Sequence, residues 1–151
     1  VGEARVNVAG RVVGEIGRGL LVLAGISVND ESPVLAAMAE KIVHLRIFPD
    51  PEGESQFHRT AFEESAELLV VSQFTLYADC RKGRRPSFVE AAPPGPANAL
   101  FEEFVQRLRE TGLRAETGEF GASMDVALVN QGPVTIWLDS DEMSRSRKGS
   151  A

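Results

Sequence analysis

The sequence predicts a single domain of mixed strand and helix, a sheet covered by two amphipathic helices. Three observations carry that reading. Apolar residues alternate with period two over 4–8, over 11–16 and from 124 towards 130, the pattern of half-buried strands. Near-continuous apolar runs at 20–26 and 68–71 predict strands buried on both faces. Leu35, Met38, Ile42 and Leu45, and again Leu100, Phe101, Phe104, Val105 and Leu108, recur at helical spacing and so mark two helices packed on the sheet. A chain of 151 residues is one domain by its length, large enough to bury a core.

Taken in order, strand 4–8 turns at Ala9-Gly10 and returns as strand 11–16. Gly14, Gly17 and Gly19 match a phosphate loop in spacing alone, and they lead into a strand instead of a helix, so they are turn residues. Ser32-Pro33 predicts a helix start, with the serine capping and the proline at the first helical position. His44 lies beside that helix's apolar stripe and is given no role. Residues 49–54 form a polar, turn-rich loop, and the stretch around His58 is too mixed to assign. Residues 93–96 read as a stiff connector, followed by a helix over about 97–110 and a strand over 113–117. After a turn at 118–123 come the strand entering from Met124 and a last one over 134–138. The polar segment 139–151 is expected to be a mobile tail behind a domain of residues 1–138.

Three stretches carry the chemistry. Residues 67–77 form the strongest predicted strand, yet its end changes character to Ser72-Gln73-Phe74-Thr75-Leu76-Tyr77. Period two places Gln73, Thr75 and Tyr77 on one face and Ser72, Phe74 and Leu76 on the other. A buried strand that suddenly offers hydroxyls and an amide either surfaces into solvent or presents them to a ligand. Directly after it, Arg81, Lys82, Arg84 and Arg85 place four cations in five residues, either as a solvated loop or as a contact for phosphate. The third stretch is Asn130-Gln131-Gly132-Pro133-Val134-Thr135. Its Gly-Pro dipeptide cannot be plain strand interior, so it is a turn or bulge, or a rigid main-chain loop aimed at a ligand.

Composition narrows the field. The net charge of -6 argues against a protein that coats nucleic acid through a broad positive field, while leaving room for a local basic patch. The single cysteine, Cys80, admits no intramolecular disulfide framework and suits a reducing compartment. No apolar run nears the about 20 residues of a membrane span, and no signal peptide opens the chain, so a cytoplasmic location is expected. Val1 is not an initiator methionine, and the chain is expected to lack its natural start. Gly-x-Ser-x-Gly, His-Glu-x-x-His, Cys-x-x-Cys, a Walker loop and a dinucleotide fingerprint are all missing, and no metal or cofactor is expected. Catalysis, if any, would use main-chain donors, hydroxyls, amides and groups on the substrate.

Ser72-Gln73-Phe74-Thr75-Leu76 together with Asn130-Gln131-Gly132-Pro133-Val134-Thr135 resembles the paired signature of the D-aminoacyl-tRNA (D-tyrosyl-tRNA) deacylases. The segments 17–23, 85–88 and 121–124 support the match, which runs over about 3–138. The resemblance implies a compact α+β fold with a mainly antiparallel, barrel-like sheet, working as a homodimer. It implies a cis Gly132-Pro133 peptide inserted into the partner subunit's site, where the two carbonyls would fill the space an L side chain needs. D-amino acids, and glycine mischarged onto tRNA(Ala), would escape that clash. The implied reaction is hydrolysis of the ester between the amino acid and the terminal adenosine of tRNA, a proofreading step of translation. Catalytic roles fall to Gln73, Phe74 and Thr75, the last two as main-chain oxyanion donors, with the substrate's ribose 2′-hydroxyl assisting. Ser72, Met124, Asn130, Gly132 and Pro133 would bind substrate, and Arg81, Lys82, Arg84 and Arg85 would contact tRNA phosphates. Thr75 as a nucleophile is the less persuasive alternative, since no base is evident to activate it.

One departure stands out. Family members carry an arginine just before the position of Val1, thought to brace the Gly-Pro loop, and the numbered chain has none. Two other readings stay open. One is a non-catalytic module binding RNA ends or amino acids, and the other is the related deacylase branch with a trans Gly-Pro and relaxed chirality. Neither DNA nor a membrane is an expected partner.

Overall fold

The computed structural model describes residues 1–145, which build three layers. The elements run β1 (Glu3–Val8), β2 (Arg11–Ile16), β3 (Gly19–Ala24), α1 (Ser32–His44), β4 (Arg46–Phe48), β5 (Arg59–Thr60), β6 (Glu67–Ser72), a 3-10 turn (Phe74–Tyr77), α2 (Pro94–Glu110), β7 (Ala115–Thr117), β8 (Asp125–Val129) and α3 (Ser140–Ser144). One sheet is antiparallel, in the order β2-β1-β8, and a second is parallel, in the order β3-β6-β7. The small hairpin β4-β5 is antiparallel too. The α+β class holds, and three of the five strand pairings are antiparallel.

Strand β6 is the centre of the molecule because both of its faces are apolar. Leu68 and Val70 enter a core formed with Leu35, Ala39 and Val43 of α1 and with Phe101, Phe104 and Leu108 of α2. Leu69 and Val71 point the other way, onto Ala4, Val6 and Ile16 of the antiparallel sheet. All four are essentially fully buried, as expected of a continuous apolar run. The β1-β2 hairpin turns through Ala9 and Gly10, both at positive φ (48° and 76°), the two-residue geometry that matches strand twist.

Several expectations need correction. Strand β3 is an edge strand, and its Leu23 is 43% exposed, so that run is not buried on both faces. Ser32 does not cap α1; its hydroxyl donates to Glu103 Oε2 of α2 at 2.7 Å, tying the two helices together. Residues 94–96 are no connector but the first turn of α2, where prolines fit because those amides have no intrahelical acceptor anyway. The predicted strand over 134–138 joins no ladder among the described residues. The segment taken as a tail begins with a short helix, α3, whose first amides are capped by the Asp139 carboxylate through Asp141 N at 2.9 Å. The rest of that segment, 146–151, lies outside the described residues. The β4-β5 hairpin, with its two-residue strand β5, had no readable signal.

Glu64 sits between two guanidiniums, Arg18 and Arg59 (3.0 Å from Arg59 Nε), with its own side chain only 13% exposed. The Arg18 guanidinium also stacks 5.3 Å from the Phe48 ring centroid. Glu64→Gln removes the charge and leaves two cations facing a neutral amide. We expect a loss of about 1–3 kcal/mol, seen as a thermal midpoint lower by roughly 2–10 °C. An unchanged midpoint would show that the triad contributes nothing.

Candidate active site

The Ser72–Tyr77 stretch is not one long strand. Pairing between β3 and β6 ends at Ala24 and Ser72, and a last rung follows from Gln73 N to Ala24 O at 2.8 Å. At Gln73 the backbone leaves the strand (φ -143°, ψ 79°) and winds into the 3-10 turn Phe74–Tyr77. Leu76 N returns to Gln73 O at 3.2 Å and Ala78 N to Thr75 O at 3.1 Å. The period-two assignment of faces therefore fails from residue 73 onward. The winding has a chemical result. The amides of Phe74 and Thr75 head the turn, the position where helical N–H groups lack acceptors, and neither donates to a main-chain carbonyl among the described residues.

Around these amides the side chains are exposed and polar. Thr75 is exposed, and its hydroxyl accepts from the Gln73 side-chain amide, which is a donor and not a base. Phe74, 55% exposed, meets Phe88 edge-on with ring centroids 5.0 Å apart. Met124 sits elsewhere, packed on the core beneath β1 with its sulfur over Gly118, where a Cβ would approach to 2.6 Å.

The basic stretch forms the tip of a short hairpin closed by paired hydrogen bonds between Asp79 and Ser87 (2.7 and 2.9 Å). Arg81 does not project from it freely. Its guanidinium makes a two-pronged contact with the Asp79 carboxylate (2.8 and 2.7 Å), and those hydrogen bonds pull the Asp79 carboxyl down to about 2. Lys82, Arg84 and Arg85 are exposed and carry no ion pair among the described residues.

The Gly-Pro loop follows β8. Gly132 sits at φ +114°, reserved for glycine, and the peptide to Pro133 is cis. The loop is tied across its neck by Asn130 Nδ2, which donates to Thr135 Oγ1 at 3.0 Å. It leans on the start of the chain, where Gly2 N donates to Val129 O at 2.9 Å and the Gln131 side chain lies over Gly2. A Cβ at Gly2 would stand 2.9 Å from the Gln131 amide, so glycine makes this contact possible.

A groove of about 980 Å³ runs between β3, α1 and the segment 128–139. Asn130, Gly132 and Arg81 line it, whereas Ser72, Gln73, Phe74, Thr75, Met124, Pro133, Lys82, Arg84 and Arg85 do not. The groove thus takes in Leu76 and Tyr77 from the end of the turn beside Gly132, while Ser72–Thr75 lie outside it. Beyond the predicted residues, the groove also holds Asp30, Tyr77 and Asp139 at one end. Burial, and after it the negative charges of Asp30, Asp139, Asp141 and Glu90, push the Tyr77 hydroxyl up to about 12, which keeps it neutral. Nothing in the sequence spacing of these groups could have shown them to be neighbours. Among the described residues no cluster of three or more His, Cys, Asp or Glu is arranged to hold a metal ion, and no helix is long and apolar enough to cross a membrane.

The family described as D-Tyr-tRNA(Tyr) deacylase matches residues 1–139, and the chain belongs to that family. It is 54% identical over 143 residues to a D-aminoacyl-tRNA deacylase of Thermomicrobium roseum, covering 95% of this chain and 92% of the relative. It is 56% identical over 140 residues to one of Desulfatibacillum aliphaticivorans, covering 93% and 94%. A solved structure titled c-Myc DNA Unwinding Element Binding Protein is 40% identical and superimposes with a TM-score of 0.86 over 92% of this chain and 93% of that one. Another, of a probable eukaryotic D-amino acid tRNA deacylase, shares the fold at 18% identity, with a TM-score of 0.73 over 83% and 87%.

Proposed function

We propose that this chain is a D-aminoacyl-tRNA deacylase whose working site needs two copies. The observation that carries the chemistry is the pair of amides, Phe74 N–H and Thr75 N–H, left without a main-chain acceptor among the described residues at the head of the exposed 3-10 turn. Water adds to the ester carbonyl carbon, and the oxygen that gains negative charge is received by these two donors. Collapse of the tetrahedral intermediate breaks the bond to the ribose oxygen. That oxygen leaves with a proton, and the amino acid departs as its carboxylate. Among the described residues no histidine, lysine or carboxylate is hydrogen-bonded to Thr75, so activation is assigned to the substrate's own 2′-hydroxyl, in keeping with the family resemblance. Gln73 holds the Thr75 side chain in place, and Ser72 and Asn130 would orient the terminal adenosine or the substrate amine.

Chirality is read by the Gly132-Pro133 main chain of a second copy, which denies an L side chain its space and leaves D-amino acids and glycine acceptable. Three observations support the two-copy reading. The Phe74 and Thr75 amides lie outside the groove that Gly132 lines within one chain, although Leu76 and Tyr77 of the same turn reach into it. Among the described residues segment 134–138 has no ladder partner, and the outer edge of β3 is unpaired beyond Gly19, which exchanges hydrogen bonds with Val1 (3.0 and 2.8 Å). Apolar side chains on this side stay exposed, Trp137 at 63% and Leu128, Val129 and Ile136 near half. A sheet continued across two copies would complete the barrel that a single chain leaves open.

The deciding assay offers matched D-tyrosyl-, L-tyrosyl- and glycyl-tRNA and measures ester cleavage. Cleavage of the D and glycyl esters with the L ester spared is expected. Equal loss of D and L esters would favour a relaxed-chirality deacylase, and tRNA binding without turnover would favour a non-catalytic module. Lys82, Arg84 and Arg85 would grip tRNA phosphates, with Arg81 serving to hold the hairpin shape. Arg84→Ala with Arg85→Ala should weaken tRNA binding for all sequences alike and reduce the slope of log K against log salt by about 2. An unchanged slope would remove the hairpin from the tRNA contact. Competition by DNA of equal length, measured in the same titration, checks the reading raised by the DNA-binding relative.

A further inference from the structure

We propose that Gly25 and Tyr77 form a positioning pair that sets the two oxyanion donors. The proposal rests on the deacylase reading for its kinetics but on geometry for its substance. Gly25 follows β3 directly, one residue beyond the last rung, where Ala24 O accepts from Gln73 N. The Tyr77 ring, at the far end of the 3-10 turn, folds back over it. A methyl group at position 25 would stand 3.1 and 3.2 Å from Cε2 and Cδ2 of that ring, and 3.3 Å from Gln73 O. Both the beginning and the end of the turn therefore rest on the space left by one absent side chain.

Gly25 is not in the left-handed region, so alanine is conformationally allowed there and its effect is displacement rather than backbone strain. The added methyl must push something by a few tenths of an ångström. The Gln73 carbonyl cannot yield alone, because it accepts from Leu76 N, and Gln73 N is held by Ala24 O. Moving it carries the following Phe74 and Thr75 amides with it, and the Gln73–Thr75 side-chain contact as well. The Tyr77 ring is half-buried, so its retreat would drag the end of the turn in the opposite direction. Donors aimed at a developing oxyanion tolerate such shifts poorly, since an ångström of misplacement costs on the order of 100-fold in rate.

The test is a double-mutant cycle on the full chain, assayed with D-tyrosyl-tRNA well below the thermal midpoint. Gly25→Ala is expected to lower kcat about tenfold with KM within about twofold of the parent, as befits an interaction realised in the transition state. In a Tyr77→Leu background the two closest contacts are gone, the space they vacate lets residue 25 ease away from the looser 3.3 Å contact with Gln73 O, and Gly25→Ala should lower kcat less than about twofold further. Amide ¹⁵N and ¹H chemical shifts of Phe74 and Thr75 in the ligand-free protein supply a second readout. They should move in Gly25→Ala, and the same substitution in the Tyr77→Leu background should barely move them. An equal Gly25→Ala effect in both backgrounds, or unmoved amides, overturns the pair. If the unsubstituted protein fails to cleave D-tyrosyl-tRNA, the deacylase reading falls, while the amide shifts still decide the positioning role.

Discussion

Gly132→Ala should lower the D-over-L ratio of kcat/KM by at least about tenfold. The backbone at 132 has φ +114°, a conformation that costs an L-residue about 1–3 kcal/mol. A Cβ there would also lie 2.9 Å from Val134 Cγ2 and 3.1 Å from Val134 N, so the loop cannot absorb it in place. The loop is exposed and, among the described residues, tied by the Asn130–Thr135 hydrogen bond and the contacts to Gly2, and it has room to rearrange. On the proposed reading, displacement of its carbonyls would open the space that an L side chain is denied. Initial rates on paired D- and L-tyrosyl-tRNA measure the ratio, with thermal denaturation run alongside to confirm a folded protein. A ratio equal to the parent's would mean that this loop does not read handedness.

Phe74→Pro is expected to lose about 10²–10³ in kcat relative to Phe74→Ala, the amount typical of one lost oxyanion donor. Both substitutions remove the ring and its edge-on contact with Phe88, and only proline removes the amide hydrogen. Proline is tolerated at the first position of a helical turn, which is where residue 74 stands. Thr75→Ala keeps its amide and should stay within about tenfold of the parent, whereas loss of a covalent nucleophile costs on the order of 10⁶. If Phe74→Pro and Phe74→Ala prove equally active, the Phe74 amide is not an oxyanion donor. A Thr75→Ala protein without activity would restore the hydroxyl as nucleophile.

How much of this could be read beforehand follows from how local each signal is. The apolar run 68–71 announces a strand with two buried faces, because no residue type on either side relieves its hydrophobicity. The two helices are legible for the same reason, through the spacing of their apolar positions. Ser72–Tyr77 was misleading because six consecutive residues are compatible with a continued strand. What ends the strand is the loss of neighbours: β3 offers a last rung at Ala24, and β7 pairs only as far as Val70. Residues 134–138 failed for a related reason, since alternation describes a willingness to pair and says nothing of whether an edge is within reach. The Gly-Pro loop and the Ser-Gln-Phe-Thr stretch were legible as breaks in the strand pattern, yet where each lies relative to the groove depends on topology. Gly25 was invisible as more than a strand residue, because its importance lies in the ring that crosses it.

The hydrogen-bonding groups along β3 and along 134–138 have a consequence for how the protein behaves on dilution. On the proposed two-copy reading, each chain would carry both halves of a junction and complete neither by itself. On the two-copy reading, specific activity should therefore fall as the chains are diluted below their dissociation constant, and total rate there should scale with the square of chain concentration. A cell making few copies would lose proofreading faster than it loses protein.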